Sequence, residues 1–249
     1  MKISESVAIV TGAGQGLGRA TAELLRARGA RVVQTDLRFP TTEESSAARI
    51  EADITDAQEM ERVVAEAVSR FGRLDAVVHC AGVAAGFRLL DDRGPADPAR
   101  FRKVIEANLV GTFNVARAAA MAMRDNEPDA DGGRGVLVMT ASVAAFEGQR
   151  GQVAYAASKA GVVGMTLPIA RDLSPYGVRC VTIAPGAFDT TLTTDLDPRL
   201  QEKLVSYAAH PRRLGRPEEF AELVCAVLEN GFINAEVIRI DGGTRLPAL

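Results

Sequence analysis

The chain has 249 residues, 47% of them hydrophobic and 24% charged, and its net charge is -3 at pH 7. This composition is typical of a soluble globular protein and differs from that of disordered or fibrous chains. Lysines and arginines are spread along the sequence and form no basic tract, so we expect no nucleic-acid partner. The length fits a single α/β domain covering residues 1–249.

The three cysteines, Cys80, Cys180 and Cys225, are widely spaced and include no CxxC pair. They indicate neither a disulfide framework nor a zinc site, and favour buried thiols in a reducing compartment. The chain has only two histidines, so we expect no metal site. The apolar run at 7–10 is too short for a secretory signal or a membrane span, which predicts a cytoplasmic protein without a membrane anchor.

Short β-branched runs alternate along the chain with longer segments of helical period, a pattern typical of βαβ units. Strands are predicted at Val7–Thr11, Arg31–Thr35, Arg49–Ala52, Ala76–His79, Gly135–Thr140, Arg179–Ile183 and Val237–Ile240. Helices are predicted at Leu17–Arg28, Ala57–Phe71, Arg100–Arg124, Val153–Leu173 and Glu218–Glu229, with Gly29, Gly72 and Gly177 just past three of the helix ends. The pattern predicts one doubly wound parallel sheet of about seven strands with helices on both faces.

Three segments lack a clear strand or helix pattern. Asp91–Pro98 and Asp125–Arg134 are polar and rich in turn residues, which predicts surface loops. Ala187–Arg213 follows the carboxyl end of the sixth predicted strand, where open α/β sheets place their ligand crevice. We expect this third segment to be a lid over the substrate.

A glycine-rich turn containing Gly12, Gly16 and Gly18 connects the first strand to the first helix. Glycines let the backbone approach a pyrophosphate closely, and the start of a helix offers free N–H groups and the positive end of its dipole. The turn therefore predicts a dinucleotide site. Taken alone, the motif fits a purely structural turn or another nucleotide about as well.

Asp36 comes at the end of the second strand, about 20 residues after the glycines, where a carboxylate can accept hydrogen bonds from the adenosine ribose. A carboxylate there also repels a 2′-phosphate, so Asp36 favours NAD over NADP. The alternative is that Asp36 is only a loop or helix-cap carboxylate. Arg38 lies close in sequence, and its guanidinium could instead accommodate the additional phosphate.

Tyr155 and Lys159 are four residues apart in a predicted helix and so share one face. A positive charge beside a tyrosine favours the phenolate, which predicts that Tyr155 acts as a general acid and base. Ser142, just past the fifth strand, can hydrogen-bond a substrate oxygen. Each residue also has a purely structural alternative: a helical Tyr-x-x-x-Lys arises often by chance, and Ser142 and Asn108 can simply bond the nearby backbone.

Considered together and in order, these residues resemble the short-chain dehydrogenase/reductase family over essentially the whole chain. The shared set is Thr11-Gly12-x-x-x-Gly16-x-Gly18, Asp53, Cys80-Ala81-Gly82, Asn108, Ser142, Tyr155-x-x-Ser158-Lys159, Pro185-Gly186 and Asp241-Gly242-Gly243. The resemblance implies a Rossmann-type fold, a homotetramer, proton transfer by Tyr155 and substrate polarisation by Ser142. It also implies that Lys159 assists both Tyr155 and the cofactor, and that Asn108 holds a proton-relay water.

The resemblance also implies a set of cofactor contacts beyond Asp36. These are Gly12, Gln15, Gly16, Leu17 and Gly18 in the turn, Asp53 and Ile54 near the adenine, the backbone of Cys80, Ala81 and Gly82, the side chains of Tyr155 and Lys159, and Pro185, Gly186, Phe188 and Thr190 toward the nicotinamide. The family usually has Asn-Ala-Gly where this chain has Cys80-Ala81-Gly82. An asparagine bond that steadies the central strands is therefore expected to be absent.

Segments 126–128, 140–149 and 164–173 resemble one branch of the family, the 3-hydroxyacyl-CoA dehydrogenases of type 2. This implies NAD-dependent interconversion of 3-hydroxyacyl-CoA and 3-oxoacyl-CoA. The alternatives are a hydroxysteroid dehydrogenase, a 3-oxoacyl-thioester reductase, which would more naturally use NADPH, and a non-enzymatic cofactor-binding scaffold or sensor. Asp36 argues against the reductase, and the complete catalytic set argues against the scaffold.

Overall fold

The computed structural model describes residues 1–39, 48–194 and 197–248. In chain order its strands are β1 (Val7–Thr11), β2 (Arg31–Asp36), β3 (Ala48–Glu51), β4 (Ala76–His79), β5 (Leu90–Asp91), β6 (Gly94–Pro95), β7 (Gly135–Thr140), β8 (Val178–Pro185) and β9 (Val237–Ile240). The helices are α1 (Gly16–Ala27), α2 (Ala57–Phe71), α3 (Pro98–Ile105), α4 (Gly111–Arg124), α5 (Val153–Leu173), α6 (Thr191–Thr194), α7 (Pro198–Ser206) and α8 (Pro217–Glu229).

Within the described residues, seven of the strands form one parallel sheet in the order β3-β2-β1-β4-β7-β8-β9, and β5 pairs with β6 as a separate short antiparallel hairpin. The strand order reverses between β1 and β4. In open α/β sheets such a reversal opens a crevice at the carboxyl ends of the two strands, and ligands bind there. The topology therefore places the glycine turn after β1 beside the loop after β4.

Apolar cores fill both faces of the sheet, because successive side chains of a strand point in opposite directions. Ile9 of β1 lies in a core shared with α2, α4 and α5, whereas its neighbours Ala8 and Val10 lie in a second core shared with α1 and α8. The single Rossmann-type domain with helices on both faces, predicted from the sequence, is confirmed.

The predicted strands are all present, and four of the predicted helices are found with ends shifted by at most one residue. The exception is the helix predicted at Arg100–Arg124. It consists of α3, a π-helical turn at Glu106–Val110 and α4, so a single continuous α-helix was wrong. The π-turn shifts the hydrogen bonds so that Gly111 N donates to the carbonyl oxygen of Glu106. Asn108 lies inside this turn.

The less regular segments differ more from expectation. The predicted loop Asp91–Pro98 contains part of the β5–β6 hairpin, whereas most of Asp125–Arg134 is an exposed loop, as predicted. Buried Asn126 anchors that loop by donating hydrogen bonds to the carbonyl oxygens of Leu74 and Arg134, at 2.6 and 2.8 Å. Ala187–Arg213 contains α6 and α7, and its residues 195–196 lie outside the described part of the chain. Its role as a substrate lid stays a prediction.

The segment Val153–Tyr176, which includes α5, is long and apolar enough to cross a membrane, with a mean hydropathy of 1.3. Length and composition are weak evidence for a membrane span, because a core helix of a globular protein passes the same test. In this fold α5 packs against β8, and Val162 and Ala170 contribute to the core on that face. The helix continues through Pro168 without a break.

Candidate active site

The glycine turn and the loop after β4 are in direct contact at the strand-order reversal. Gly12 has a φ of +64°, and a Cβ placed on it would lie 2.7 Å from the backbone nitrogen of Ala81. A Cβ on Gly18 would lie only 2.2 Å from the carbonyl oxygen of Gly12. Glycine is therefore required at both positions, because only a residue without a side chain lets these backbone segments approach so closely. The crevice beside them is where the sequence predicts a pyrophosphate.

Asp36 ends β2 and faces this turn. Its Oδ2 accepts a hydrogen bond from the backbone nitrogen of Gly14 at 2.9 Å, and its Oδ1 accepts one from Leu37 N at 2.8 Å. The carboxylate is thereby held beside the glycines, where an adenosine ribose would lie in a dinucleotide site of this type. Arg38 is exposed, and its carbonyl oxygen would lie 3.3 Å from a Cβ on Gly14.

The segment after β8 reaches back over the glycine turn. Cγ2 of Thr190 would lie 3.3 Å from a Cβ on Gly16, and the hydroxyl of Thr191 donates a hydrogen bond to Oε1 of Gln15 at 3.0 Å. Pro185 and Gly186 lie at the end of β8, where Gly186 N donates to the carbonyl oxygen of Ile240 at 2.9 Å. The structure thus brings the predicted pyrophosphate end and the predicted nicotinamide end of the site together.

Three other predicted cofactor residues are largely engaged within the protein. Oδ1 of Asp53 accepts hydrogen bonds from the backbone nitrogen and hydroxyl of Thr55, both at 2.8 Å. Ile54 is buried against Gly111. The ring of Phe188 packs edge-on against Phe220, with centroids 6.3 Å apart, and is 5% exposed. Any contact between Phe188 and a nicotinamide would therefore involve its backbone.

Ser142 and Tyr155 are brought together from two different elements. Ser142 follows β7 by two residues and caps the short 3₁₀ turn at Val143–Ala145, with its Oγ accepting from Ala144 N at 3.1 Å. Tyr155 lies in the first turn of α5 and hydrogen-bonds with the Ser142 side chain. Ser142 therefore caps the turn, as the structural alternative predicted, and lies beside Tyr155. Its hydrogen bond to a substrate oxygen stays a prediction.

The pKa values of Tyr155 and Lys159 differ from the expectation. Burial raises the pKa of Tyr155 above its ordinary value of 10.0, and the hydrogen bond with Ser142 lowers it only in part. The Nζ of Lys159 lies 5.9 Å from the centre of the tyrosine ring. Burial also lowers the pKa of Lys159 to about 8, although the charge of a nearby Cys80 thiolate would raise it. In the protein alone, then, desolvation is the largest influence on Tyr155, and it moves the pKa in the direction opposite to the lowering expected from the sequence.

Lys159 is held in place by the backbone of β7. Its Nζ donates a hydrogen bond to the carbonyl oxygen of Thr140 at 2.9 Å, and the side chain is 5% exposed. The same Nζ would lie 3.5 Å from a Cβ on Gly82. The ammonium group therefore lies between the ends of β4 and β7, next to the crevice, where a nicotinamide ribose would be within reach.

Asn108 ties the π-turn to both the β4 loop and α5. Its Oδ1 accepts from Val83 N at 2.8 Å, and its Nδ2 donates to the Val83 carbonyl oxygen at 2.9 Å and to Oγ of Ser158 at 3.1 Å. Ser158 in turn donates to the carbonyl oxygen of Tyr155 at 2.7 Å. This chain positions the catalytic turn of α5. The role of Asn108 in holding a relay water stays a prediction.

The four predicted catalytic residues thus meet beside the predicted dinucleotide crevice, and comparison with known proteins agrees. Residues 12–245 match a family model described as enoyl-(acyl carrier protein) reductase. The chain belongs to the short-chain dehydrogenase/reductase family. It is 48% identical to the human protein named 3-hydroxyacyl-CoA dehydrogenase type-2, over 96% of this chain and 95% of the human one. It is 34% identical to the ipsdienol dehydrogenase of Ips pini, over 98% and 99% of the two chains.

The fold is similar as well. The crystal structure of 3-hydroxyacyl-CoA dehydrogenase type-2 from Mycobacterium avium superposes with a TM-score of 0.91, at 40% identity, over 100% of both chains. The chain is therefore an oxidoreductase of the short-chain dehydrogenase/reductase family, and the resemblance recognised in the sequence is confirmed.

One departure from the family pattern has a structural counterpart that sequence reasoning missed. In place of an asparagine, Cys80 follows β4, and its Sγ accepts a hydrogen bond from the hydroxyl of Thr140 at 3.8 Å. The Oγ1 of Thr11 accepts from the backbone nitrogens of Cys80 and Ala81, both at 3.2 Å, and lies 2.7 Å from Nδ1 of His79. These side chains join the ends of β1, β4 and β7. The signal available in the sequence was a polar residue at the last position of each strand.

The three cysteines are free, as the sequence indicated. Cys180 and Cys225 are buried, and burial raises their pKa values to about 12 and about 11. Burial likewise raises the pKa of the Cys80 thiol to about 12. All three thiols are therefore neutral at physiological pH and poorly suited to act as nucleophiles.

Proposed function

We propose that the protein interconverts a 3-hydroxyacyl-CoA and the corresponding 3-oxoacyl-CoA, with NAD as the cofactor and Tyr155 as the general acid and base. The observation that carries this proposal is the convergence of Ser142, Tyr155 and Lys159 beside the crevice between β1 and β4. The thioester class is supported by the relatives named 3-hydroxyacyl-CoA dehydrogenase type-2, which match at 46–48% identity in four mammals.

The reaction requires one proton transfer at the substrate oxygen, and the side chains supply it. In the direction of oxidation Tyr155, as phenolate, accepts the proton of the 3-hydroxyl group, while Ser142 donates a hydrogen bond to the same oxygen. In reduction Tyr155 returns the proton. Lys159 holds positive charge near the tyrosine and favours its phenolate form. A bound NAD would supply the hydride acceptor for the substrate carbon, and the positive charge of its ring would add to the effect of Lys159.

NAD is proposed over NADP because Asp36 lies against the glycine turn, with its carboxylate oriented by Gly14 N and Leu37 N. An ionised carboxylate there accepts hydrogen bonds from ribose hydroxyls and repels a 2′-phosphate. The same observation disfavours a 3-oxoacyl-thioester reductase that uses NADPH. A hydroxysteroid remains the second candidate substrate, since the same three catalytic groups serve any secondary alcohol. The complete catalytic set also disfavours a purely non-enzymatic scaffold.

Assembly and location are part of the same proposal. Large apolar side chains are exposed on α4 and α5: Phe113 is 51% exposed, Met121 60% and Leu167 43%. Such a surface favours association with another copy of the chain, and we propose a homotetramer in the cytoplasm, with no membrane and no nucleic acid as partner. Light scattering coupled to size-exclusion chromatography measures the assembly, and a monomeric mass would contradict it.

The direct test is an initial-rate assay at the absorbance band of the reduced nicotinamide, using acetoacetyl-CoA with NADH and NADPH in parallel. The proposal predicts turnover with NADH and a much lower kcat/KM with NADPH. Turnover with NADPH alone would contradict the cofactor assignment. If neither cofactor supports turnover, the acyl-CoA proposal is wrong, and hydroxysteroids are then the substrates to assay.

A further inference from the structure

The loop after Ser142 and the segment that leads to the β5–β6 hairpin enclose a cleft of about 340 Å³ at the amino end of α5. Two of its wall residues, Val153 and Ala156, belong to the same helical turn as Tyr155. The walls are joined by a hydrogen bond from Phe87 N to the carbonyl oxygen of Gly151, at 2.8 Å. A substrate whose reacting carbon lies at Tyr155 therefore has a cleft beside it for its remaining length.

The charged groups that line this cleft have one sign. Among the described residues, its wall contains Arg88 and Arg150 and no aspartate or glutamate. Both arginines are exposed, and within the described part of the chain neither lies within 4.0 Å of a carboxylate oxygen. Their guanidinium groups are therefore available for an anionic ligand. Guanidinium matches phosphate geometry with two parallel hydrogen bonds.

Asp91, which follows the wall residue Leu90 in the chain, is already paired. Asp91 of the hairpin is paired with Arg93 at 3.0 Å, and the hydrogen bonds of Arg93 hold the pKa of that carboxyl below its ordinary value, with smaller contributions from Arg88 and Arg100. Arg100 itself stacks over the ring of Phe87 at 4.8 Å. The mouth of the cleft consequently keeps a positive field despite the neighbouring aspartate.

Exposed apolar side chains lie in the same cleft wall as the two arginines. Leu89 and Leu90 are 73% and 68% exposed, although both line the cleft. Exposed apolar side chains grouped beside unpaired charges are typical of a binding site for an amphipathic ligand. A coenzyme A thioester has this character, because a long uncharged arm connects its acyl group to a diphosphate and a nucleotide phosphate.

On the basis of the proposed function, we infer that this cleft binds the coenzyme A portion of the substrate, and that Arg88 and Arg150 bind its phosphates. The two arginines then determine specificity: they favour a coenzyme A thioester over a neutral secondary alcohol of similar reactivity. They act through binding and do not take part in the proton transfer at Tyr155.

The test compares two thioesters of the same acyl group, acetoacetyl-CoA and the acetoacetyl thioester of N-acetylcysteamine, which lacks every phosphate. The variants are Arg88→Gln and Arg150→Gln. The control is Arg62→Gln, which removes an exposed arginine of α2 that does not line the cleft. Steady-state kcat and KM are measured with NADH, and free coenzyme A is added as a competitive inhibitor in a second series.

Each cleft variant is expected to raise the KM for acetoacetyl-CoA and the inhibition constant of coenzyme A about tenfold, the loss typical of one charge-assisted hydrogen bond. The kcat values, and the KM for the truncated thioester, should change less than about twofold, and Arg62→Gln should resemble the unaltered protein. The inference is wrong if both thioesters are affected equally, or if the KM for acetoacetyl-CoA is insensitive to either arginine. A protein that turns over no acetoacetyl-CoA would overturn the proposed function and this inference together.

Discussion

Thr11 Oγ1 and His79 Nδ1 lie 2.7 Å apart at the ends of the paired strands β1 and β4. The threonine oxygen already accepts hydrogen bonds from Cys80 N and Ala81 N. The Thr11 hydroxyl therefore donates its own hydrogen to Nδ1 of His79. Nδ1 must then be unprotonated, so the neutral imidazole carries its hydrogen on Nε2. Burial, with a smaller contribution from Lys159, lowers the pKa of His79 from 6.5 to about 3. The ring stays neutral and supports the loop that forms the cofactor crevice.

The buried histidine predicts a loss of stability in acid. Its pKa is lower in the folded than in the unfolded protein, so between pH 6.5 and about 3 only the unfolded chain takes up the proton, and stability falls as the pH falls. From pH 7 to 5 this linkage costs roughly 2 kcal/mol. In His79→Asn, which keeps an acceptor for Thr11, the decrease in unfolding free energy between those pH values should be smaller by about that amount.

Denaturant unfolding at pH 7 and pH 5 measures the effect. His210→Asn is the matched control, since it removes the other histidine of the chain at an exposed position. If His79→Asn and the unaltered protein lose the same free energy on acidification, the neutral assignment of His79 is wrong.

Tyr155→Phe should leave a folded protein that binds cofactor but turns over substrate at least about 100-fold more slowly, because the ring remains while the group that exchanges the proton is removed. The measurement is kcat with acetoacetyl-CoA and NADH, alongside cofactor affinity by isothermal titration calorimetry. Tyr176→Phe serves as the control, since Tyr176 lies on the exposed surface beyond α5. Near-normal turnover by Tyr155→Phe would contradict the assigned role.

Lys159 combines a catalytic role with a cost in stability. The pKa of Lys159 is about 8 in the folded protein, whereas its ordinary value is 10.5. Below about pH 8 the lysine is charged in both the folded and the unfolded chain, and this difference in pKa lowers the free energy of unfolding by roughly 3 kcal/mol. Between pH 8 and 10.5 the unfolded chain binds the additional proton, so the stability of the unaltered protein rises with pH through that window.

We therefore expect Lys159→Met to be at least as stable as the unaltered protein at pH 7, and this advantage should shrink by about 2 kcal/mol by pH 9.5. Its kcat should fall about 100-fold or more. Thermal unfolding at the two pH values, together with the NADH assay at pH 7, tests both statements. A variant that is clearly less stable at pH 7 would show that the bond to the Thr140 carbonyl outweighs the desolvation of the charge.

The substitution Asp36→Asn distinguishes the effect of the negative charge of this residue from that of its hydrogen bonds to the backbone. The amide oxygen can still accept from Gly14 N, so the turn should keep its shape, whereas the negative charge facing the ribose is lost. The ratio of kcat/KM with NADH to kcat/KM with NADPH should fall about tenfold or more, the loss typical of a hydrogen bond to a charged group. Arg38→Gln is a useful companion, since it removes the nearby cation. An unchanged ratio in Asp36→Asn would make Asp36 purely structural.

The sequence by itself determined the order of the main strands and helices and the position of the glycine turn, and it predicted the four side chains that the fold brings together. Local patterns carry this information. Short apolar runs predict buried strands, glycine at 18 is required by the turn's own backbone at Gly12, and residues 155 and 159 share a helix face through the helical repeat. For the same reason the ends of α2 and α5 were predicted to the residue.

Only the tertiary structure decided what surrounds these residues. The π-turn that carries Asn108, the Thr11–His79 bond and the direction of the Tyr155 pKa all depend on contacts between segments distant in sequence. The expected lowering of that pKa failed because a helical spacing reports which side chains are neighbours but not how much water they lose. Burial is a property of the packed molecule, and at this site it is the largest influence on the tyrosine pKa.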